Sequence, residues 1–393
     1  GSEMCIRDRM RILFYRWKAY NQFDLIQNLE QRGHIVDEIT GEMANYESDE
    51  PFALSLREQF DRAEYDLVMT VNFFPLISNE CEKRRIRYVA WCCDSPISAM
   101  YNDAVFNKSN IIFTFDLWNQ LEFKDMGAPV YYLPLCADTV RNDKITGGAV
   151  PDGYDYDISF VGSMYKKNMY DEVYDHMTDY LKGYFDAALK MQVNINEYMI
   201  EDILDGKILA EIERHFVLNK SEHSFQKLAL TFSTTVLSFK IARLERQSII
   251  SKLSENYRTD IFTDDMEPEF GFAKKHGTVD YWSQAPLIYN RSKINLNLSL
   301  KSIRTGIPLR VFDILSCGGF CMTNNQPELG LYFKDGIDLV TFDSYEDLQK
   351  KTEYYLSHED ERKNIALNGY EKVKKLHQYS NRLDEMRKYI PEI

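Results

Sequence analysis

The segment Gly306 to Asn324, "GIPLRVFDILSCGGFCMTN", places one cation and one carboxylate three residues apart in an otherwise apolar run. Pro308 suits the first position of a helix, because its missing N–H would have no partner there. Arg310 then lies in the first turn, where free backbone N–H groups and the helix dipole favour an anion. Asp313 follows on the same face. At ~1.5 Å per residue, Pro308 to Asp313 spans roughly 7 Å, about the separation between a diphosphate and the hydroxyls of its ribose. The pattern can therefore grip a nucleoside diphosphate, with the helix end and Arg310 on phosphate and Asp313 accepting from ribose. An Arg–Asp pair on a solvated helix face has the same spacing, so spacing alone leaves both readings open. Ser316-Cys317-Gly318-Gly319 ends the helix and lets it pack close to a sheet.

Elements that would position this helix run along the whole chain. Its 393 residues favour two domains. Apolar runs at 11–16, 35–40, 66–73, 87–94, 111–116 and 130–135 alternate with helical patterns at 22–34, near 53–62 and at 76–86. Residues 141–153, "RNDKITGGAVPDG", are polar and rich in glycine, the composition of a linker. The rhythm resumes with strands at 157–163, 260–264, 277–281, 294–300, 320–324 and 338–343, and two helices follow. Between them, residues 168 to about 258 are helical and too long for one crossover. The expected fold is α/β: two doubly wound Rossmann-like domains facing a cleft, with a helical insertion in the second. Expected boundaries are 10–146, 147–375 and a C-terminal helix, 376–393, that returns to the first domain.

Composition narrows the partners. A net charge of −14 speaks against a nucleic-acid backbone, which needs a basic surface. The seven cysteines form no C-x-x-C pair and read as reduced thiols of a cytoplasmic protein. No apolar run reaches the ~18 residues of an integral membrane segment, and no signal peptide is visible. Residues 1–9 read as a tag remnant followed by adapter-like read-through, with Met10 the better native start.

Several stretches carry a family resemblance. "YNRSKINLNLSL", "GIPLRVFDILSCGGFCMTN" and "ELGLYFKDGIDLVTFDSYEDLQKKTEYYLSHEDERKNIALNGYEKV" resemble the C-terminal half of the spore-maturation-protein-like group of glycosyltransferases, of GT-B fold. "YDLVMTVNFFP" and "YVAWCCDSP" look like the N-terminal domain paired with it. The resemblance covers nearly the whole chain after Met10 except the insertion. It implies transfer of a sugar from a nucleotide donor, with UDP favoured by base rate, without a metal or other cofactor. Asp313 matches the second of two glutamates that many retaining GT-B enzymes carry eight positions apart. The first falls on Thr305, so retention or inversion stays open.

The same resemblance turns Gly162-Ser163 towards the diphosphate, with Lys166 or Lys167 to neutralise it; an ordinary strand-end turn with surface lysines reads equally well. Lys301 and Arg304 form a second basic pair after "INLNLSL", in which one of Asn295 and Asn297 is expected to turn to the ligand. "HGTVDYW" resembles the loop that brackets the base, so Tyr281 is a candidate for stacking, although core tyrosines are common. In the first domain Asp94 ends a strand before Ser95-Pro96, where it is either a general base for an acceptor hydroxyl or a turn-initiating residue. Asn72, Arg16 and Lys18 also follow strand ends. Asp155-Tyr156-Asp157 leads into a strand and is set aside as a chance match to a metal motif; no G-x-G-x-x-G or P-loop occurs, and the histidines lack metal-ligand spacing. The donor is expected to be a nucleotide sugar and the acceptor is unidentified: protein, polysaccharide or small molecule. Oligomerisation through the insertion is one further use for it. A GT-B-type nucleotide-sugar epimerase and a non-catalytic nucleotide-binding scaffold are the alternatives.

Overall fold

The computed structural model describes residues 9–216 and 221–393. Residues 1–8 of the leading segment set aside above, and 217–220 of the expected insertion, lie outside the described residues. The chain divides into two compact units.

In the first unit, strands β1 (Arg11–Arg16), β2 (Ile35–Thr40), β3 (Leu67–Val71), β4 (Arg87–Cys92), β5 (Asn110–Thr114) and β6 (Val130–Tyr132) form one parallel sheet, order β2-β1-β3-β4-β5-β6. β3 is buried along its whole length, as a parallel strand covered on both faces must be. Two of its helices begin where a short polar side chain supplies a cap: Asp49 accepts from the Phe52 N–H and Asp116 from the Trp118 N–H. The C-terminal helix Tyr379–Met386 belongs to this unit. Tyr379 meets Trp91 at 6.0 Å, and buried Arg382 donates to the carbonyls of Pro134 and Leu135. Residues 221–226, expected within the insertion, also pack here: Phe225 donates its N–H to the Tyr101 carbonyl, and its ring sits 5.8 Å from Phe106.

The linker-like stretch is not a free linker. Thr139–Thr146 is a helix capped by the Asp138 carboxylate, which accepts from the Arg141 N–H, and Gly147 closes it. The division between units falls earlier, at Cys136 and Ala137. Polar composition here marks a short solvated helix with its own cap.

In the second unit, β7 (Tyr156–Val161), β8 (Thr259–Phe262), β9 (Lys274–Lys275), β10 (Ser292–Asn297), β11 (Cys321–Asn324) and β12 (Val340–Phe342) form a second parallel sheet, order β12-β11-β10-β7-β8-β9. The strand expected at 277–281 does not form. The Asp280 carboxylate accepts from the Trp282 and Ser283 N–H groups, a local turn that competes with a ladder; the edge strand is Lys274–Lys275 instead. After β10 comes the helix Leu309–Ser316, with Pro308 as its N-cap rather than its first residue. Gly318 adopts φ +70°, and a Cβ there would lie 2.0 Å from the Ala149 carbonyl oxygen; one on Gly319 would lie 2.8 Å from the Asn295 amide. A side chain at Gly319 would push the helix end off the sheet, and one at Gly318 would push it off the loop that precedes β7.

The insertion has a core of its own. Helices Met169–Val173, Asp179–Val193 and Gly206–His215 pack Tyr170, Leu181, Phe185, Ile208 and Ile212 against Phe232 and Ile241. The chain passes through a π-helical stretch, Phe232–Leu237, into the long helix Ser238–Ser254. That helix begins in the insertion core, at Ile241, and ends in the sheet core, at Ile249, Ile250 and Leu253.

Candidate active site

The carboxyl ends of β7 and β10 gather two guanidinium groups. β7 ends at Val161, and Gly162 follows with φ +155°. The Arg310 guanidinium lies flat against this glycine: a Cβ on Gly162 would be 2.9 Å from Arg310 Nη2 and 3.1 Å from its Cζ. Arg246, from the long helix, is only 3 % exposed. Its Nη1 donates to the Ser163 carbonyl and its Nη2 to the Leu298 carbonyl, each at 2.6 Å. The rings of Tyr165 and Phe160 flank it at 4.7 and 5.4 Å. Its Nε is buried without a hydrogen-bond partner. Burial lowers the Arg246 pKa, and the charge of Arg310 lowers it further. Among the described residues, no carboxylate forms an ion pair with either arginine. Glu245 and Asp313 act on these two cations only through space, without an ion pair, so an anion placed at this turn would be held favourably.

Asp313 stands one turn along the same helix, 6 % exposed. Tyr281 donates its hydroxyl to Asp313 Oδ1 at 2.8 Å, and the Arg141 guanidinium lies 5.6 Å from the Tyr281 ring centre. Burial raises the Asp313 pKa to about 6, against the opposing pull of the Tyr281 hydroxyl and the charges of Arg141 and Arg310. A carboxylate so placed accepts hydroxyl hydrogens well once ionised. Asn297, at the end of β10, donates to Thr323 Oγ1 at 2.9 Å and to Ser299 Oγ at 3.1 Å, while its buried Oδ1 has no partner. Asn295 is structural, bonded to the Tyr289 carbonyl and to Ser159.

Gly162, Ser163, Arg310, Tyr281 and Asp313 are thus tied together by direct contacts or through Arg246 and the Arg310 helix. Three other expected ligands are engaged elsewhere. Lys301 is buried, donating to the carbonyls of Gln192, Val193 and Ile195 and pairing with Glu245 at 3.1 Å. It caps the end of the helix Asp179–Val193. Arg304 pairs with Glu201 at 2.5 Å and lies 4.8 Å over the Tyr198 ring. Both fasten the insertion to the sheet, a departure from the phosphate role expected of them. Lys166 is exposed and pairs with Glu267. Thr305 donates to the buried Glu328 carboxylate at 2.7 Å.

Sequence reasoning missed Arg246 and Arg141. Arg246 falls on the buried stripe Ala242, Arg246, Ile249, Ile250, Leu253 of the long helix. A charged residue on an apolar stripe was the available signal.

In the first unit, Asp94 lies two residues beyond β4. The Asn72 amide donates to Asp94 Oδ2 at 2.7 Å, and Asn72 Oδ1 accepts from the Cys93 N–H at 2.9 Å. Asn72 holds a left-handed conformation, φ 65°, which asparagine tolerates better than most residues. Asp94 keeps an open face to solvent, yet the protein packed around the carboxylate raises its pKa, opposed by the Asn72 hydrogen bond. Arg16 and Lys18 pair with Glu38 and Glu42 on the sheet edge.

Residues 246–388 match a family model described as glycosyl transferase-like. No curated protein matches the sequence. Solved structures match over nearly the whole chain at low identity. An alpha-glucosyltransferase in complex with UDP-glucose and DNA containing an abasic site has TM-score 0.56 and 12 % identity, covering 98 % of this chain and 100 % of its own. A sucrose-phosphate synthase from Thermosynechococcus elongatus has TM-score 0.58 and 9 % identity, covering 98 % and 99 %. Anabaena HepE in complex with UDP and glucose has TM-score 0.54 and 8 % identity, covering 98 % and 100 %. At such identity these likenesses speak for the fold, two parallel α/β units of GT-B type, and the glycosyl transferase-like match covers the C-terminal part of the chain.

Proposed function

We propose that the enzyme transfers a sugar from a UDP-sugar to an acceptor hydroxyl without a metal ion. The observation that carries this reading is the pair Arg246 and Arg310 at the Gly162-Ser163 turn, with no carboxylate in an ion pair with either among the described residues. A diphosphate supplies the missing negative charge. Arg310 approaches it from the start of a helix, where free N–H groups add to the attraction. Asp313 takes the ribose hydroxyls, and Tyr281 and Arg141 border the base. Structural relatives bound to UDP or UDP-glucose support the choice of nucleotide.

Acceptor activation is assigned to Asp94, held by Asn72 at a strand end of the first unit. The acceptor is a hydroxyl compound; a net charge of −14 speaks against DNA, which the alpha-glucosyltransferase binds. Calorimetric titration with UDP tests the donor site directly. Binding is expected in the wild type, with at least a tenfold loss in Arg310→Met. Equal affinity in the two proteins would remove the basis for the reading. Incubation with UDP-sugars alone separates a transferase, which hydrolyses them slowly, from an epimerase, which releases a new sugar.

A further inference from the structure

The helical insertion carries a cavity of about 330 Å³, lined by residues that play no part in the donor site. Helices Met169–Val173, Asp179–Val193 and Ser238–Ser254 form it, with Tyr174 from the short 3-10 turn Tyr174–His176. Its chemistry is organised around Asp186. Tyr170 donates its hydroxyl to Asp186 Oδ1 at 3.2 Å and Tyr174 to Oδ2 at 3.4 Å. Lys240 pairs with Asp171 at 2.6 Å, and Lys190, one turn along the helix from Asp186, adds a second ammonium. Leu189 and Leu244 supply an apolar wall beside the tyrosine rings.

Two carboxylates and two ammonium groups leave the lining with no net charge, so it selects for neither a phosphate nor a cation. It offers hydrogen-bond donors and acceptors side by side, next to aromatic and aliphatic surface. A sugar ring matches this set: its hydroxyls both donate and accept, and its C–H face is apolar. The volume lies at the low end of small-ligand sites. We propose that this cavity binds one neutral sugar ring of the acceptor, so that the insertion anchors a glycan whose hydroxyl is glycosylated elsewhere on the enzyme. This rests on the chain being a sugar transferase with a saccharide acceptor.

Saturation-transfer NMR on the full chain tests it, with saturating UDP and a panel of glucose, galactose, mannose, N-acetylglucosamine and their disaccharides. At least one of these is expected to bind, and Asp186→Asn and Tyr174→Ala, both at solvent-reached positions, are expected to weaken it at least fivefold. UDP affinity in both variants should stay within twofold of the wild type. UDP binding with no saccharide signal would overturn this inference alone, and absence of UDP binding would instead overturn the donor reading. Saccharide binding untouched by both variants would place the sugar at another site. Preferential binding of tetramethylammonium, titrated as a control and weakened by the same variants, would make the cavity a cation site.

Discussion

The Tyr281 hydroxyl donates to Asp313 Oδ1 at 2.8 Å, linking the loop after β9 to the helix that follows β10. The residue expected to border the base therefore also holds the residue expected to bind ribose.

A pH dependence follows. The proposed ribose contact needs Asp313 as a carboxylate, and burial pushes its pKa up to about 6. UDP affinity should fall as pH drops through about 6, and in Asp313→Asn it should be weaker and flat across that range. Losing one charge-assisted hydrogen bond costs about 1.5–3 kcal/mol. The sign for stability is opposite: the folded chain holds this proton more tightly than the unfolded chain. Stability from this group is therefore present below the ordinary carboxylate range and fades as pH rises to about 6. Calorimetry from pH 5 to 8 on both proteins checks the binding; unchanged affinity in Asp313→Asn would exclude a ribose role.

Gly162→Ala should impair UDP binding without removing any polar group. Its Cβ would fall 2.9 Å from Arg310 Nη2 on a backbone that side chains rarely adopt. Strain of this kind costs on the order of 1–3 kcal/mol. A melting temperature lowered by several degrees, together with at least tenfold weaker UDP binding, is the expected pair of results.

Arg246→Lys keeps the charge but cannot serve both the Ser163 and Leu298 carbonyls. A buried carbonyl left unpaired costs about 1–3 kcal/mol, so denaturant unfolding should register that loss even without nucleotide. UDP should stabilise this variant less than it stabilises the wild type.

Asp94→Asn retains shape and loses basicity. Turnover should fall by ~10²–10⁴-fold, while UDP affinity stays within about twofold. Measured transfer rates near normal would move the base elsewhere, or assign it to the leaving diphosphate of a retaining mechanism; the anomeric configuration of the product by NMR distinguishes these.

If Arg246 and Arg310 neutralise the diphosphate as proposed, transfer should persist in excess EDTA. Complete loss, restored by added manganese, would contradict the metal-independent mechanism.

Most of the sheet strands were legible in the sequence because parallel strands buried on both faces are written as short apolar runs, and β1 begins and ends where its run does. The Arg310–Asp313 helix was legible too, because a proline, a small-residue stop and two charges on an apolar helix are local features. The strand expected at 277–281 failed for an equally local reason, the turn held by Asp280. Lys301 and Arg304 could not be placed from sequence. Their partners lie about a hundred residues away in an insertion whose packing no local pattern fixes. Arg246 is the same case in reverse: 83 positions from Ser163 in the chain and 2.6 Å from it in space. The sequence by itself determined which residues can carry charge, cap a helix or turn a strand. Only the tertiary structure decided which cations meet a carboxylate and which form no ion pair, because that depends on long-range packing that brings distant segments to the same strand ends.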